Sequence, residues 1–202
     1  IDSKGNYIAD NNLKKLGNYN PDFMLGWSNN LTYKNFDLSF LFDWRQGGVL
    51  VSRTLALGAV GGQLKETEDR PDGGIVAEGV VNTGSDENPV WEANTTAISA
   101  ESYYRQYYDR NHEENNTYNA TYLKLRQFSI GYTFKNEKPK GFISENRTLK
   151  VSIIGRNLFA LSAIPHFDPE QMATQGQKFV SGVEDMSYAS TRSLGIKFGY
   201  TF

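Results

Sequence analysis

Two histidines, His112 and His166, are the side chains with which this chain could do acid–base chemistry near neutral pH. His112 stands in Asp109-Arg110-Asn111-His112-Glu113-Glu114, a run whose carboxylates could gather a calcium ion, but no spacing in it fixes a ligand geometry. His166 precedes Phe167-Asp168-Pro169-Glu170, and the chain has no Gly-x-Ser-x-Gly turn to present a serine nucleophile. Cysteine is absent, which removes thiolate nucleophiles and thiolate zinc sites together. Gly58-Ala59-Val60-Gly61-Gly62 lacks the Lys-Ser/Thr ending of a phosphate loop. No catalytic, cofactor-binding or metal-binding residue is expected, and the chain does not read as an enzyme.

Aromatic residues are the more informative chemistry. Tyr103, Tyr104, Tyr107 and Tyr108 cluster after Trp91, with Arg105 and Arg110 among them. Such rings stack on sugars or pack against a partner protein. Packing or contact with a covering partner is the favoured reading over direct ligand contact. The charge balance, 21 Lys+Arg against 23 Asp+Glu for a net −2, gives no basic surface for nucleic acid.

The elements that would position these residues show period-two alternation. Odd positions from Phe23 to Tyr33 are mostly apolar; after Lys34-Asn35 the apolar set moves to even positions, Phe36, Leu38, Phe40, Phe42 and Trp44. That is an antiparallel hairpin. Further strands are expected over Thr121–Phe134, around Leu149–Ile153, and over the closing Leu194, Ile196, Phe198, Tyr200 and Phe202. Ten or so alternating residues, tilted at about 45°, cross a bilayer's hydrocarbon layer. No apolar run approaches the roughly 18 residues of a membrane helix, and the mean hydropathy is −0.54. An all-β antiparallel membrane barrel hides its hydrophobicity in just this way. Between the second and third strands lies a long excursion, Gly47 to Thr117, rich in turn residues, in which Ser99 is placed to cap a short helix. Short links alternate with long ones, as in outer-membrane barrels. Five strands cannot close such a barrel, whose smallest members have about eight. Ile1-Asp2-Ser3-Lys4-Gly5 is neither a start methionine nor a basic leader, so the chain is expected to be part of something longer, its missing strands N-terminal to it.

Several motifs then become specific. Asn20-Pro21-Asp22-Phe23, Tyr33 to Phe40 and Arg45-Gln46-Gly47-Gly48 resemble the late-barrel segment of SusC/RagA-type TonB-dependent transporters. Ala120 to Tyr132 resembles that family's "YLKLRNISLGY" strand, Gly155-Arg156-Asn157-Leu158-Phe159 its "GRNLF" motif, and Asp168-Pro169-Glu170 its "DPE" turn. Thr191-Arg192-Ser193 and Tyr200-Thr201-Phe202 are similar to its closing strand. Asp2 to Ile8 falls where the family often has a calcium-type loop, but Lys4 replaces an oxygen ligand, so a structural turn is expected there.

The resemblance implies the C-terminal portion (1–202) of a larger, 22-stranded barrel, with 47–117 as a long extracellular loop and the plug and TonB box outside this chain. It implies active import of glycans, oligosaccharides or oligopeptides across the outer membrane of a Gram-negative, Bacteroidetes-type cell. The implied partners are the rest of the barrel and its plug, a SusD-like surface lipoprotein, the TonB complex, the lipid bilayer and the barrel-assembly machinery. Phe36, Phe40, Phe128, Ile130, Phe198 and Tyr200 are expected to face lipid, and Phe198, Tyr200 and Phe202 to form the assembly signal. Two other readings stand beside this one: a soluble β-sandwich that binds glycans, and a siderophore-type receptor without a lid.

Overall fold

In the computed structural model, residues 1–135, 148–164, 166–175 and 178–201 are described. Five long strands form one sheet: β1 (Phe23–Tyr33), β2 (Phe36–Gln46), β3 (Tyr122–Lys135), β4 (Thr148–Ser162) and β5 (Ser193–Thr201). Each pairs antiparallel with the strand before and after it in sequence, so the sheet is a simple meander with β1 and β5 at its edges. The Lys34-Asn35 turn joins β1 to β2, with Lys34 at φ 55. The β3–β4 link leaves from that same end of the sheet, because Phe36 is opposite Tyr132 and Leu149 is opposite both Phe134 and Tyr200. The long excursions between β2 and β3 and between β4 and β5 leave from the other end.

The register aligns the alternation of all five strands. Across the middle of one face, Asn29, Phe40, Phe128, Gly155 and Leu194 are successive neighbours; one step towards the turns come Leu31, Leu38, Ile130, Ile153 and Ile196. The opposite face carries Ser39, Asp37, Gly131, Lys150, Ser152 and Lys197. Aromatic rings on the apolar face contact edge-on across strands, Trp27 with Phe40 at 5.2 Å and Phe36 with Tyr132 at 4.7 Å between centroids. Such pairs add roughly 0.5–1.5 kcal/mol beyond the area they bury. Yet this face is open: Trp27, Phe36, Ile196 and Phe198 each keep half or more of their surface exposed. A soluble sandwich would bury that side.

β4 runs well beyond the expected Leu149–Ile153. Its alternation is interrupted at Ile154 and again at Asn157, where the strand bulges: Arg156 is opposite Gln127 but Phe159 is opposite Leu125. Asn157 takes φ 51, a conformation Asn tolerates better than most residues. A second register shift places Arg126 of β3 as the extra residue between Leu41 and Phe42 of β2. It moves the apolar phase of β3 from odd to even positions, Leu123 and Leu125 before it, Phe128 and Ile130 after.

The chain divides into two compact units. One comprises residues 20–48, 119–170 and 188–202 and holds the sheet; the other comprises 1–19, 49–118 and 171–187. The second unit contains more regular structure than its turn-rich sequence suggests. Ser52 caps helix α1 (Arg53–Val60) by accepting from the Leu55 amide, and Leu55, Ala56 and Ala59 are buried. At only eight residues, with a glycine at position 58, this helix leaves little periodicity to read. Helix α2 (Ala100–Tyr107) begins where Ser99 places it, the serine hydroxyl accepting from the Ser102 amide. Replacing Ser99 by Ala should cost about 1 kcal/mol, seen as faster amide exchange in the first turn of α2. Glu184, almost wholly buried, ties two excursions together: its carboxylate accepts from Ser52 Oγ at 2.7 Å, Thr54 Oγ1 at 2.6 Å and the Ser187 amide.

Candidate functional site

The polar face of the sheet carries a continuous ionic network at the end from which the excursions leave. Its cations come from the start of β3, where alternation directs Tyr122 and Lys124 to that face and the bulge brings Arg126 there too. Its anions come from Asp43 of β2 and the Asp168-Pro169-Glu170 turn after β4. Arg126 donates to Asp43 from Nε at 3.0 Å and from its terminal nitrogen at 2.5 Å, and also to Glu170. Lys124 Nζ donates to Glu170 at 2.5 Å and to Asp168, and its side chain is only 4% exposed. Tyr122 donates to Glu170 at 3.0 Å, and Asp168 closes its own turn by accepting from the Glu170 amide at 3.0 Å. Burial alone would raise both turn carboxyls. At Asp168 the Lys124 ammonium and the Glu170 amide more than offset it, and at Glu170 Arg126 and Lys124 do so, leaving both below their ordinary values.

Further along the face, Lys150 of β4 reaches across β3 to Asp37 of β2, Nζ to Oδ2 at 2.5 Å. Gly131 makes this crossing possible: a Cβ there would meet Ser152 Oγ at 2.6 Å and Lys150 Cε at 3.0 Å. Gly131→Val should displace Lys150 and cost about 1–3 kcal/mol of stability. The part of that cost owed to Lys150 should vanish in a Lys150→Ala background, leaving the part owed to the closer Ser152 Oγ.

The motifs read from the sequence thus turn out to be joints of this sheet. The Asp22 side chain lies where a Cβ on Gly47 would fall, at 2.2 Å from Oδ2, and Gly47 takes φ 76 while its amide donates to Thr121 Oγ1 at 2.9 Å. The Asn157 side chain of the bulge donates to the Thr191 carbonyl at 3.2 Å. The ionic network itself was not anticipated. Its signal was present in Arg126-Gln127, two consecutive polar residues between Leu125 and Phe128, which mark the bulge.

The six residues expected to face lipid, Phe36, Phe40, Phe128, Ile130, Phe198 and Tyr200, all lie on the apolar face. Phe202 of the expected assembly signal lies outside the described residues. The tyrosines gather within the other unit. Tyr103 and Tyr107 stack at 5.6 Å with Tyr7 beside them, and the buried Tyr104 donates to the Asp69 carbonyl at 2.9 Å. Burial, with Tyr7 alongside, pushes the Tyr103 hydroxyl up to about 12. Trp91 is on a separate short strand, Trp91–Ala93, 62% exposed. His112 Nδ1 is 2.8 Å from Asp109, and Glu113 pairs with Arg53 at 2.8 Å. The Asp2 carboxylate accepts from the amides of Lys4 and Asn6, at 2.9 and 2.8 Å, closing a tight turn with Gly5 at φ 86.

No protein-family model matches the sequence. TonB-dependent receptor P3 of Formosa agariphila is 27% identical over 202 residues, covering 98% of this chain and 17% of the relative. TonB-dependent receptor P39 of the same organism is 26% identical over 210 residues, covering 100% of this chain and 18% of that relative. The chain therefore spans less than a fifth of the length of these curated relatives. Among solved structures, the RagAB peptide importer in its "open-open" state shares the fold at a TM-score of 0.50, with 16% identity, over 90% of this chain and 17% of that one. Along nearly its whole length the chain is thus similar to TonB-dependent receptors, and its fold is that of a β-barrel segment, as its SusC/RagA-like motifs imply.

Proposed function

We propose that this chain forms the C-terminal portion of the barrel of a SusC-like TonB-dependent transporter, which imports an oligosaccharide or oligopeptide nutrient together with a SusD-like surface lipoprotein. The observation that carries the reading is the two-faced sheet: five long antiparallel strands with an open aromatic face on one side and paired charges on the other. In a closed barrel the aromatic face, with Phe36, Phe40, Phe128, Ile130, Phe198 and Tyr200, meets lipid, and the charged face lines the interior. The unpaired edges of β1 and β5 require further strands, since open backbone groups are not tolerated in a bilayer. Those strands, the plug and the TonB box belong to the remainder of the protein, in keeping with the greater length of its relatives. The order of the motifs supports the C-terminal placement. The excursion over 47–117 then faces the cell exterior, where Trp91 and the half-buried Tyr103, Tyr107 and Tyr108 are available to the lipoprotein or the substrate, with the buried Tyr104 packing beneath them. Phe198, Tyr200 and Phe202 provide the signal read by the barrel-assembly machinery.

An antibody to residues 47–117, used on fractionated cells of the source organism, tests the proposal. The expected band is several times larger than 22.8 kDa, sediments with outer membranes and changes mobility on heating. A surface lipoprotein should co-purify with it. A water-soluble band near 22.8 kDa would overturn the reading, and a barrel without a co-purifying lipoprotein would remove the lid from it.

A further inference from the structure

The charges on the inner face of the sheet do not balance strand by strand. Across the five strands the only acidic residues are Asp37 and Asp43, both on β2. Asp37 already holds Lys150 and Asp43 already holds Arg126, while Asp168 and Glu170 hold Lys124 and share Arg126. Arg45 and Lys135 stand at the ends of β2 and β3, and within the sheet Arg156 of β4 and Lys197 of β5 remain. Both are exposed, and neither has a hydrogen-bond or ion-pair partner among the described residues.

Their setting is open as well as cationic. Lys197 is opposite Ser152, four residues along β4 from Arg156, a separation of about 13 Å at ~3.3 Å per residue. Gly195 lies between them on the same face and Gly199 beyond, so β5 itself places only the small Ser193 beside them, while Ile154 of β4 stands over Gly195, 3.4 Å from where its Cβ would be. On its other side Arg156 borders a recess of about 450 Å³ lined by Gly26, Leu41, Gln127 and Asn157 and by the Asp43–Arg126 pair, whose guanidinium offsets the Asp43 carboxylate. Gly26 leaves that recess open, with nothing within 4 Å of where its Cβ would stand. A guanidinium in such a position can take a carboxylate or sulfate in two parallel hydrogen bonds, and an ammonium one step along can take the next charge.

We propose that Arg156 and Lys197 form a track for successive anionic groups of the transported oligomer, so that the substrate is acidic rather than neutral. The proposal rests on the import reading above, and it goes further in naming the substrate class. Unpaired cations on an outer protein surface are commonplace. Here two of them lie on the wall of a conduit, on strands with no acidic residue of their own, where focused field raises the local concentration of anions.

The test uses the full-length transporter purified in detergent, titrated with a hexauronate, a hexapeptide of glutamate, and the uncharged counterparts of each (the carboxyl-reduced oligosaccharide and the glutamine hexapeptide). The variant is Arg156→Gln/Lys197→Gln. The expected result is at least tenfold weaker binding of an acidic probe, with binding of its uncharged counterpart unchanged. The probe that shows the loss distinguishes a saccharide from a peptide source of the charge. Wild-type protein that binds neither acidic probe would overturn the proposal, as would equal losses for charged and uncharged probes. It would also be overturned if the variant bound normally but its plug became more sensitive to protease, because the two cations would then be holding an acidic plug segment. The mobility shift on heating, recorded on the same preparations, reports the barrel reading separately.

Discussion

Arginine in place of Phe128 should destabilise the barrel by roughly 2–4 kcal/mol, the depth-dependent cost of a cation at the bilayer midplane. Phe128 is midway along β3, flanked on the apolar face by Phe40 and Gly155. A guanidinium there has no carboxylate on its own face to pair with, since both acidic residues of the strands, Asp37 and Asp43, are on the other side. The neighbouring Ser129 faces that polar side, so Ser129→Arg changes the same net charge at nearly the same depth while entering water. The difference between the two variants therefore isolates the face from the charge. Unfolding midpoints in lipid vesicles, read by the mobility shift on heating, should fall sharply for Phe128→Arg and little for Ser129→Arg. Phe198→Arg, closer to the turn end of β5, should cost less than Phe128→Arg, because a long side chain near a strand end can reach the interface. Equal losses at 128 and 129 would mean that the aromatic face does not meet lipid.

Most of the sheet was legible in the sequence because its apolar and polar faces alternate along each strand. Phe23 to Tyr33 gave β1 to the residue, and the even positions from Phe36 to Trp44 gave β2 to within two residues of its end at Gln46. Legibility stopped where alternation did. The Asn157 bulge hid the second half of β4, and Arg126-Gln127 blurred the start of β3, although both bulges fall inside motifs that the family resemblance singled out. Those motifs were legible as patterns before their physics was. Asp168 and Glu170 read as a turn and Lys124 and Arg126 as part of a strand, and only the fold shows them to be one ionic network. Nothing local in the sequence could reveal it, because the partners are more than forty residues apart. Helix α1 was missed for the opposite reason. Its eight residues are too few for a helical period to separate from the surrounding turns.

The second large effect belongs to that network. Lys124→Met should cost about 3–5 kcal/mol, the usual result of removing one partner of a buried ion pair. The Lys124 side chain is 4% exposed and that of Asp168 13%, so water cannot replace the ammonium, and two carboxylates are left facing each other. The pH dependence distinguishes this mechanism from lost packing. In the wild type, Asp168 and Glu170 titrate below their ordinary values of 3.8 and 4.5. Their contribution is therefore complete above those values and is lost as pH falls through the lower, folded-state ones. Without Lys124, burial and the neighbouring Glu170 should raise the Asp168 carboxyl instead, so that it takes up a proton on folding, while Glu170 keeps Arg126. The variant should then regain stability relative to wild type as pH is lowered from 7 towards 5, a change of opposite sign to that expected of the intact network. Adding Asp168→Asn and Glu170→Gln to Lys124→Met should recover much of the loss at neutral pH and abolish the pH dependence. A cost below about 1 kcal/mol with no pH dependence is what exposed ion pairs give, and it would show that water screens the network. The predicted loss arises because Lys124 holds the start of β3 to the turn that follows β4, and although Glu170 keeps Arg126, Asp168 has no other cation among the described residues to take the place of Lys124.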